Sequence, residues 1–182
     1  PWDMIRGDSG QGGARARSRA DARSLARFAR ESGAYREQGG GHANRFQLFV
    51  ERAYRLVRED GRLGLVAPWG LAADHGCAGL RRLVLDRADV DALVGFENTR
   101  RIFPIHRSIR FLLMSATRGR PTAAVPARLG ERNPEVLDEI ETAGDGGRGS
   151  FPIVLGRGLI ERLSGSEAAI PDVRHPEDLE LL

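Results

Sequence analysis

Arg62-Leu63-Gly64-Leu65-Val66-Ala67-Pro68 is a short apolar run without polar alternation, bounded by Gly61 and closed by a proline. Such a run reads as a strand buried on both faces, which implies a parallel sheet. Working upstream, Phe46, Phe49, Val50, Ala53, Tyr54 and Val57 recur at spacings of three and four, so they predict one core-facing stripe of a helix over residues 44–58. Asn44 is its expected N-cap, Gln47 completes a capping box, and Gly61 marks the stop. Working downstream, Leu80, Leu83 and Val84 predict a shorter amphipathic helix, and residues 90–96 and 109–116 predict two more strands. Residues 97–108 are short enough to join those strands as an antiparallel pair. The order helix, strand, helix, strand, strand suits the later half of an open α/β sheet.

The flanks are less regular. Glycines over residues 7–13 predict a loop, residues 14–36 an arginine-rich solvated helix, and Gly39, Gly40 and Gly41 the close of an insertion spanning 14–41. After Thr117 the pattern weakens; Asn133 and Pro134 open an expected short helix to Glu141, residues 144–149 read as a linker, and a further element begins near Phe151. Residues 1–120 are expected to form one unit and residues 121–182 a connecting segment. Pro1 at the start and an uncapped helix opening at residues 176–182 give both ends the look of cuts.

The chain has 182 residues, a formal charge of +3 and arginine as its only strong base. Arginine forks onto phosphates and guanine edges, so nucleic acid is a permitted partner. A single cysteine, Cys77, excludes an internal disulfide and a clustered thiolate zinc site, which fits a reducing cytoplasm. No apolar run approaches the ~20 residues of a membrane span. His42 and His75 have no second ligand at metal-binding spacing, and no metal site is expected.

Pro1, Trp2 and Asp3 gain meaning from three segments further along the chain: the capped helix, the strand at 62–68, and Arg101-Ile102-Phe103-Pro104. Together they resemble the adenine-specific methyltransferase domain of type IIG restriction-modification enzymes, over residues 1 to about 118 and more loosely over 150–182. The resemblance implies the later half of a Rossmann-like sheet, truncated, mostly parallel with a terminal antiparallel pair. It identifies Pro1 and Trp2 with the last two members of an Asn-Pro-Pro-Trp motif, whose asparagine and first proline accept hydrogen bonds from the amino group being methylated. Those two members are absent. The implied activity is transfer of methyl from S-adenosylmethionine to a flipped-out adenine of double-stranded DNA. A base must leave the duplex to be reached, and an aromatic face such as Trp2 then stacks on it.

By the same resemblance Phe103 is a second contact to the target base, and Arg100, Arg101, His106 and Arg107, with Arg110 nearby, are placed to neutralise phosphates. The cofactor turn lies upstream of Pro1 in the family. Neither Gly95-Phe96-Glu97 nor the glycines of 7–13 follow a strand into a helix as a cofactor fingerprint requires. The fragment alone is therefore expected to bind S-adenosylmethionine poorly and to be inactive, with target-recognition and nuclease domains as candidate fused neighbours in the parent protein. The same tetrapeptide serves methylation of RNA bases and of protein glutamine, and a non-catalytic DNA-binding module is the third reading.

Overall fold

A computed structural model describes residues 9–37, 44–142 and 150–182. The segment at 62–68 is indeed a strand, β1 (Arg62–Pro68), but its residues alternate between exposed and buried. Leu63, Leu65 and Ala67 enter the core, whereas Val66 is 55% exposed. β1 pairs antiparallel with β3 (Arg110–Arg118) and ends the sheet among the described residues. The expectation of a doubly buried strand in a parallel sheet is thus corrected. Gly64 and Val66 make the outward positions apolar too, which hides the alternation in the sequence.

β3 also pairs antiparallel with β2 (Ala88–Glu97), as the spacing of these two strands predicts. Two further strands lie in the weakly patterned stretch. β4 (Ala124–Glu131) runs parallel to β2, and β5 (Ile153–Gly156) antiparallel to β4. The five strands form one mixed sheet in the order β1-β3-β2-β4-β5. Where the sequence reading expects a mostly parallel sheet, this one is mostly antiparallel with a single parallel pair. Residues 121–182, expected to be a connecting segment, supply two of its strands. Alternation in β4 is obscured by Pro126, Arg128 and Gly130, although Val125, Ala127 and Leu129 are buried in strict period two.

The α2 helix (Arg45–Leu56) carries the predicted capping box: Asn44 accepts from the Phe46 amide, and the Gln47 side chain accepts from the Asn44 amide at 3.1 Å. Its buried face differs from the predicted stripe. Leu48, Val50 and Tyr54 are buried with the polar Gln47 and Glu51, while Phe49 is 61% exposed. The polar pair is accommodated by satisfaction rather than by solvent. Gln47 donates to the Cys77 sulfur at 3.2 Å, and Glu51 accepts from Arg55 at 2.6 Å and from the Arg36 amide at 2.7 Å.

Helix α4 (Ala78–Arg87), which the spacing of Leu80, Leu83 and Val84 predicts, lies with α2 on the same face of the sheet. The core there joins Val50, Tyr54, Leu80 and Val84 to Leu65, Leu112, Leu93 and Leu155. Arg81 of α4 is buried and ties the C-terminal segment to this layer, donating to the carbonyls of Leu71, Asp74 and Glu167 at 3.2, 2.8 and 2.9 Å. Burial pushes its guanidinium below its ordinary pKa, opposed by the neighbouring Cys77, Glu167 and Asp74. The opposite face carries a smaller cluster of Val94, Phe96, Phe111, Val136 and Phe151, partly covered by α5 (Val136–Thr142). Helix α5 starts three residues after the predicted Asn133 opening. At the other end of the chain, α1 (Ser9–Glu31) begins inside the glycine-rich stretch expected to be a loop. Its body is alanine and arginine, strong helix formers that propagate the helix over Gly10, Gly12 and Gly13.

Candidate functional site

β1, β2 and β4 point the same way, so their carboxyl ends share one edge of the sheet with the start of β3. In sheets containing parallel strands that edge is where ligands bind, because the connecting loops there are free of the core. Here the edge is built by Trp69 after β1, the loop 98–109 after β2, and Arg132 after β4.

The loop is organised from below by Asn98, which is fully buried. Its Oδ1 accepts from the Phe103 amide at 2.9 Å, and its Nδ2 donates to the carbonyls of Phe103, Ile105 and His106 at 3.0, 3.2 and 3.4 Å. Two N–H groups are thus shared by three carbonyls. This one side chain satisfies backbone groups that the turn would otherwise leave without partners. Arg101 takes the left-handed conformation, φ 58°, so that its amide reaches the Asn98 carbonyl at 3.0 Å.

Held this way, the loop packs Ile102 against the core and leaves three other apolar side chains exposed. Phe103 is 39% exposed, and Ile105 and Ile109 are exposed as well. Phe103 still rests edge-on against Phe111, centroids 4.8 Å apart, and Phe111 stacks on Phe96 at 5.1 Å. One side of the ring is therefore held against Phe111 while part of it stays exposed. Arg100, Arg101, His106 and Arg107 are all exposed on the same loop. Arg100 donates to Asn133 Oδ1 at 2.5 Å, and His106 Nδ1 lies 2.8 Å from the Ser108 hydroxyl. Arg101 and Arg107 have no ion pair among the described residues.

The floor of the edge is a chain of ion pairs. Arg132 reaches Glu97 at 2.9 Å, Arg174 reaches Glu97 at 2.8 Å and Asp172 at 3.2 Å, and Arg110 reaches Asp172 at 2.9 Å. The hydrogen bond from Arg132, then that from Arg174, holds the Glu97 carboxyl below its ordinary pKa against the effect of burial. Burial alone would raise Asp172, yet the hydrogen bonds from Arg110 and Arg174 bring it below its ordinary value. Arg110 also lies over the Trp69 ring, 4.2 Å from its centroid. Trp69 can sit there because Gly95 has no side chain: a Cβ would stand 2.8 Å from the indole. The floor's arginines are therefore occupied internally, and Arg110, grouped by sequence with the phosphate-facing cations, belongs mainly to this floor.

Pro1, Trp2 and Asp3, and also His42, lie outside the described residues. His75 pairs with Glu167 at 2.8 Å, a structural contact between α4's leading turn and the C-terminal segment. Cys77 is buried, and that burial raises its thiol pKa despite the hydrogen bond from Gln47. No group of three or more potential metal ligands occurs among the described residues. Sequence reasoning overlooked Asn98 and Trp69. The signals to be found were an asparagine directly after a predicted strand, and a second Pro-Trp pair, Pro68-Trp69, closing another.

No family model matches the sequence, and no curated protein does. Among solved structures, a chain from a structure of the type I restriction-modification system, in work on its complex assembly and conformational transition, superposes over 79% of this chain with a TM-score of 0.56 and 15% identity. The match covers 37% of that chain, so the present chain spans little more than a third of its length. At this identity the likeness is one of fold.

Proposed function

We propose that the chain is part of a site-specific DNA adenine N6-methyltransferase of a restriction-modification or phage-defence system, and that the loop 98–109 contacts the flipped base and its flanking phosphates. The observation that carries this reading is the Asn98-held loop at the carboxyl edge, which leaves Phe103 39% exposed on the same loop as the exposed Arg100, Arg101, His106 and Arg107. A partly exposed, anchored aromatic ring on a loop that also carries exposed arginines suits an extruded nucleotide: the ring stacks or abuts the base while the guanidinium groups hold phosphate oxygens. The likeness in fold to a chain of a type I restriction-modification complex supports the same direction. Pro1 and Trp2 are the remaining base-contact residues of this reading.

S-adenosylmethionine is the methyl donor in this reading, and the described residues do not fit it. Gly70, which follows β1 into a helix, opens α3 (Gly70–Ala73), only four residues long, and the Asp74 carboxylate crowds the place a Cβ would take. Gly156 joins β5 to α6 (Arg157–Ser164), where Arg157 is held by Asp86 and Glu161, each at 2.6 Å. Neither turn offers a free cradle, so no step of the transfer is assigned to them. The chain's own part is orientation of the acceptor base, and an activated sulfonium donor needs alignment above all.

The test is transfer of labelled methyl by the full-length parent protein. Phe103→Ala should lower transfer to adenine-containing duplex DNA by about 5- to 150-fold, the loss of one base–aromatic contact of about 1–3 kcal/mol, while the protein remains folded. Absence of transfer to any adenine-containing DNA, or transfer to RNA or a glutamine-containing protein in its place, would sink this reading.

A further inference from the structure

Helix α1 concentrates charge that the rest of the chain lacks. It holds six arginines against Asp21 and Glu31, a net +4, whereas the whole chain carries +3; everything outside α1 therefore sums to −1. General use of arginine as the only strong base cannot produce that asymmetry, because it changes which base is used and not where bases gather.

Within the helix the charge is also ordered. Arg15, Arg19, Arg23 and Arg27 recur at every fourth position, which advances each by about 40° around the axis and about 6 Å along it. They form one stripe about 18 Å long. Asp21, the only carboxylate in the helix body, falls on the opposite side. Arg15, Arg19, Arg23 and Arg27 are all exposed, and of the four only Arg27 is paired among the described residues, with Glu31 at 2.8 Å.

One end of the helix is fixed to the body. Gly33 turns the chain at φ 68°, Phe28 packs edge-on against Tyr35 with centroids 6.3 Å apart, and the amides of Arg36 and Glu37 are captured by the fully buried Glu51 carboxylate at 2.7 and 3.3 Å. The Glu37 carbonyl also sits close over Gly79, where a Cβ would come within 2.8 Å. A helix about 35 Å long thus leaves a rigid anchor with its basic stripe uncovered.

We infer that α1 lies along the phosphate backbone of a nucleic-acid duplex and contributes binding that is independent of sequence. A duplex strand presents a phosphate every ~3.4 Å along its axis, so the stripe passes about five of them. Guanidinium groups fork onto phosphate oxygens. A membrane surface is the other polyanion to consider, but a helix that lies in lipid needs a large apolar face, and α1 offers only Leu25 and Phe28 among alanine, serine and glycine. The inference does not need the methyltransferase reading.

The experiment measures binding of the full chain to a random-sequence DNA duplex between about 50 and 200 mM salt. Replacing Arg15, Arg19 and Arg23 together by Gln should reduce the slope of log affinity against log salt by about 2.7, the release of three phosphate contacts. The same three positions changed to Lys should keep the slope, which separates lost charge from lost helix. The salt slope reads the α1 phosphate contacts and methyl transfer reads the Phe103 loop, so this inference and the proposed function fail separately. An unaltered slope in the Gln variant overturns the inference. So does binding to phosphatidylserine vesicles that the Gln variant abolishes while duplex binding persists.

Discussion

The two ends of the sheet use similar residues to opposite effect. At the amino end, arginine and tyrosine close the structure on itself. Arg118 donates to the Val57 carbonyl at 2.6 Å, lies 3.1 Å from Glu59 and covers the Tyr54 ring at 5.2 Å, while the Tyr54 hydroxyl donates to the Arg87 carbonyl at 3.2 Å. At the carboxyl end the polar anchor is buried beneath the loop, and the apolar and cationic side chains are left outside. A loop stabilised from within by one amide can keep its outer surface available, whereas a turn stabilised by its outer side chains cannot. The partly exposed Phe103 ring, held on the same loop as Arg100, Arg101 and Arg107, is what makes the carboxyl end the candidate site.

Asn98→Ala should destabilise the protein by roughly 3 kcal/mol in denaturant unfolding, since several buried backbone groups lose their partner together, and should release the loop so that its amides exchange rapidly. A loss below that of an ordinary surface substitution would mean the loop holds itself. At the other end, Tyr54→Phe keeps the packed ring and removes one hydrogen bond, so the cost should be about 1 kcal/mol, with no effect on nucleic-acid binding; a binding defect would place function at the amino end as well.

The smallest effect concerns acid. Glu97 and Asp172 have folded pKa values below their unfolded ones, so their contribution is full above the ordinary carboxylate range near pH ~4 and is lost as pH falls through the lowered values. Arg174→Gln removes a partner from both. It should cost about 0.5 kcal/mol at neutral pH, because these pairs are partly exposed, and the gap from wild type should narrow below pH ~4. A gap that widens on acidification would show that the cluster is not stabilising.

Much of the molecule is legible in the sequence where one local rule decides the outcome. The Asn44–Gln47 capping box, the α4 spacing and the β2–β3 pair follow from spacing and short connections, and the structure shows each. Legibility fails where burial depends on the element packed opposite. Phe49 reads as core by its periodicity and is exposed, because the face of α2 that meets α4 and β1 is rotated toward Leu48 and Glu51. β4 is hidden because Pro126, Arg128 and Gly130 occupy its alternate positions. The grouping of Phe103 with its arginines can be read directly, since they are close in the chain; its buried support cannot, since Asn98 resembles any turn asparagine until its four contacts are seen.

By itself the sequence determined which of the central segments are helix or strand, where α2 is capped, and that positive charge gathers in α1, because propensity, capping and charge depend on residues near one another. Only the tertiary structure decided that β1 pairs with β3 and ends the sheet among the described residues, that β2 and β4 run parallel, and that Asn98 lies beneath the Phe103 loop. Those outcomes depend on which surfaces exclude water together, a property of pairs of elements distant in the chain.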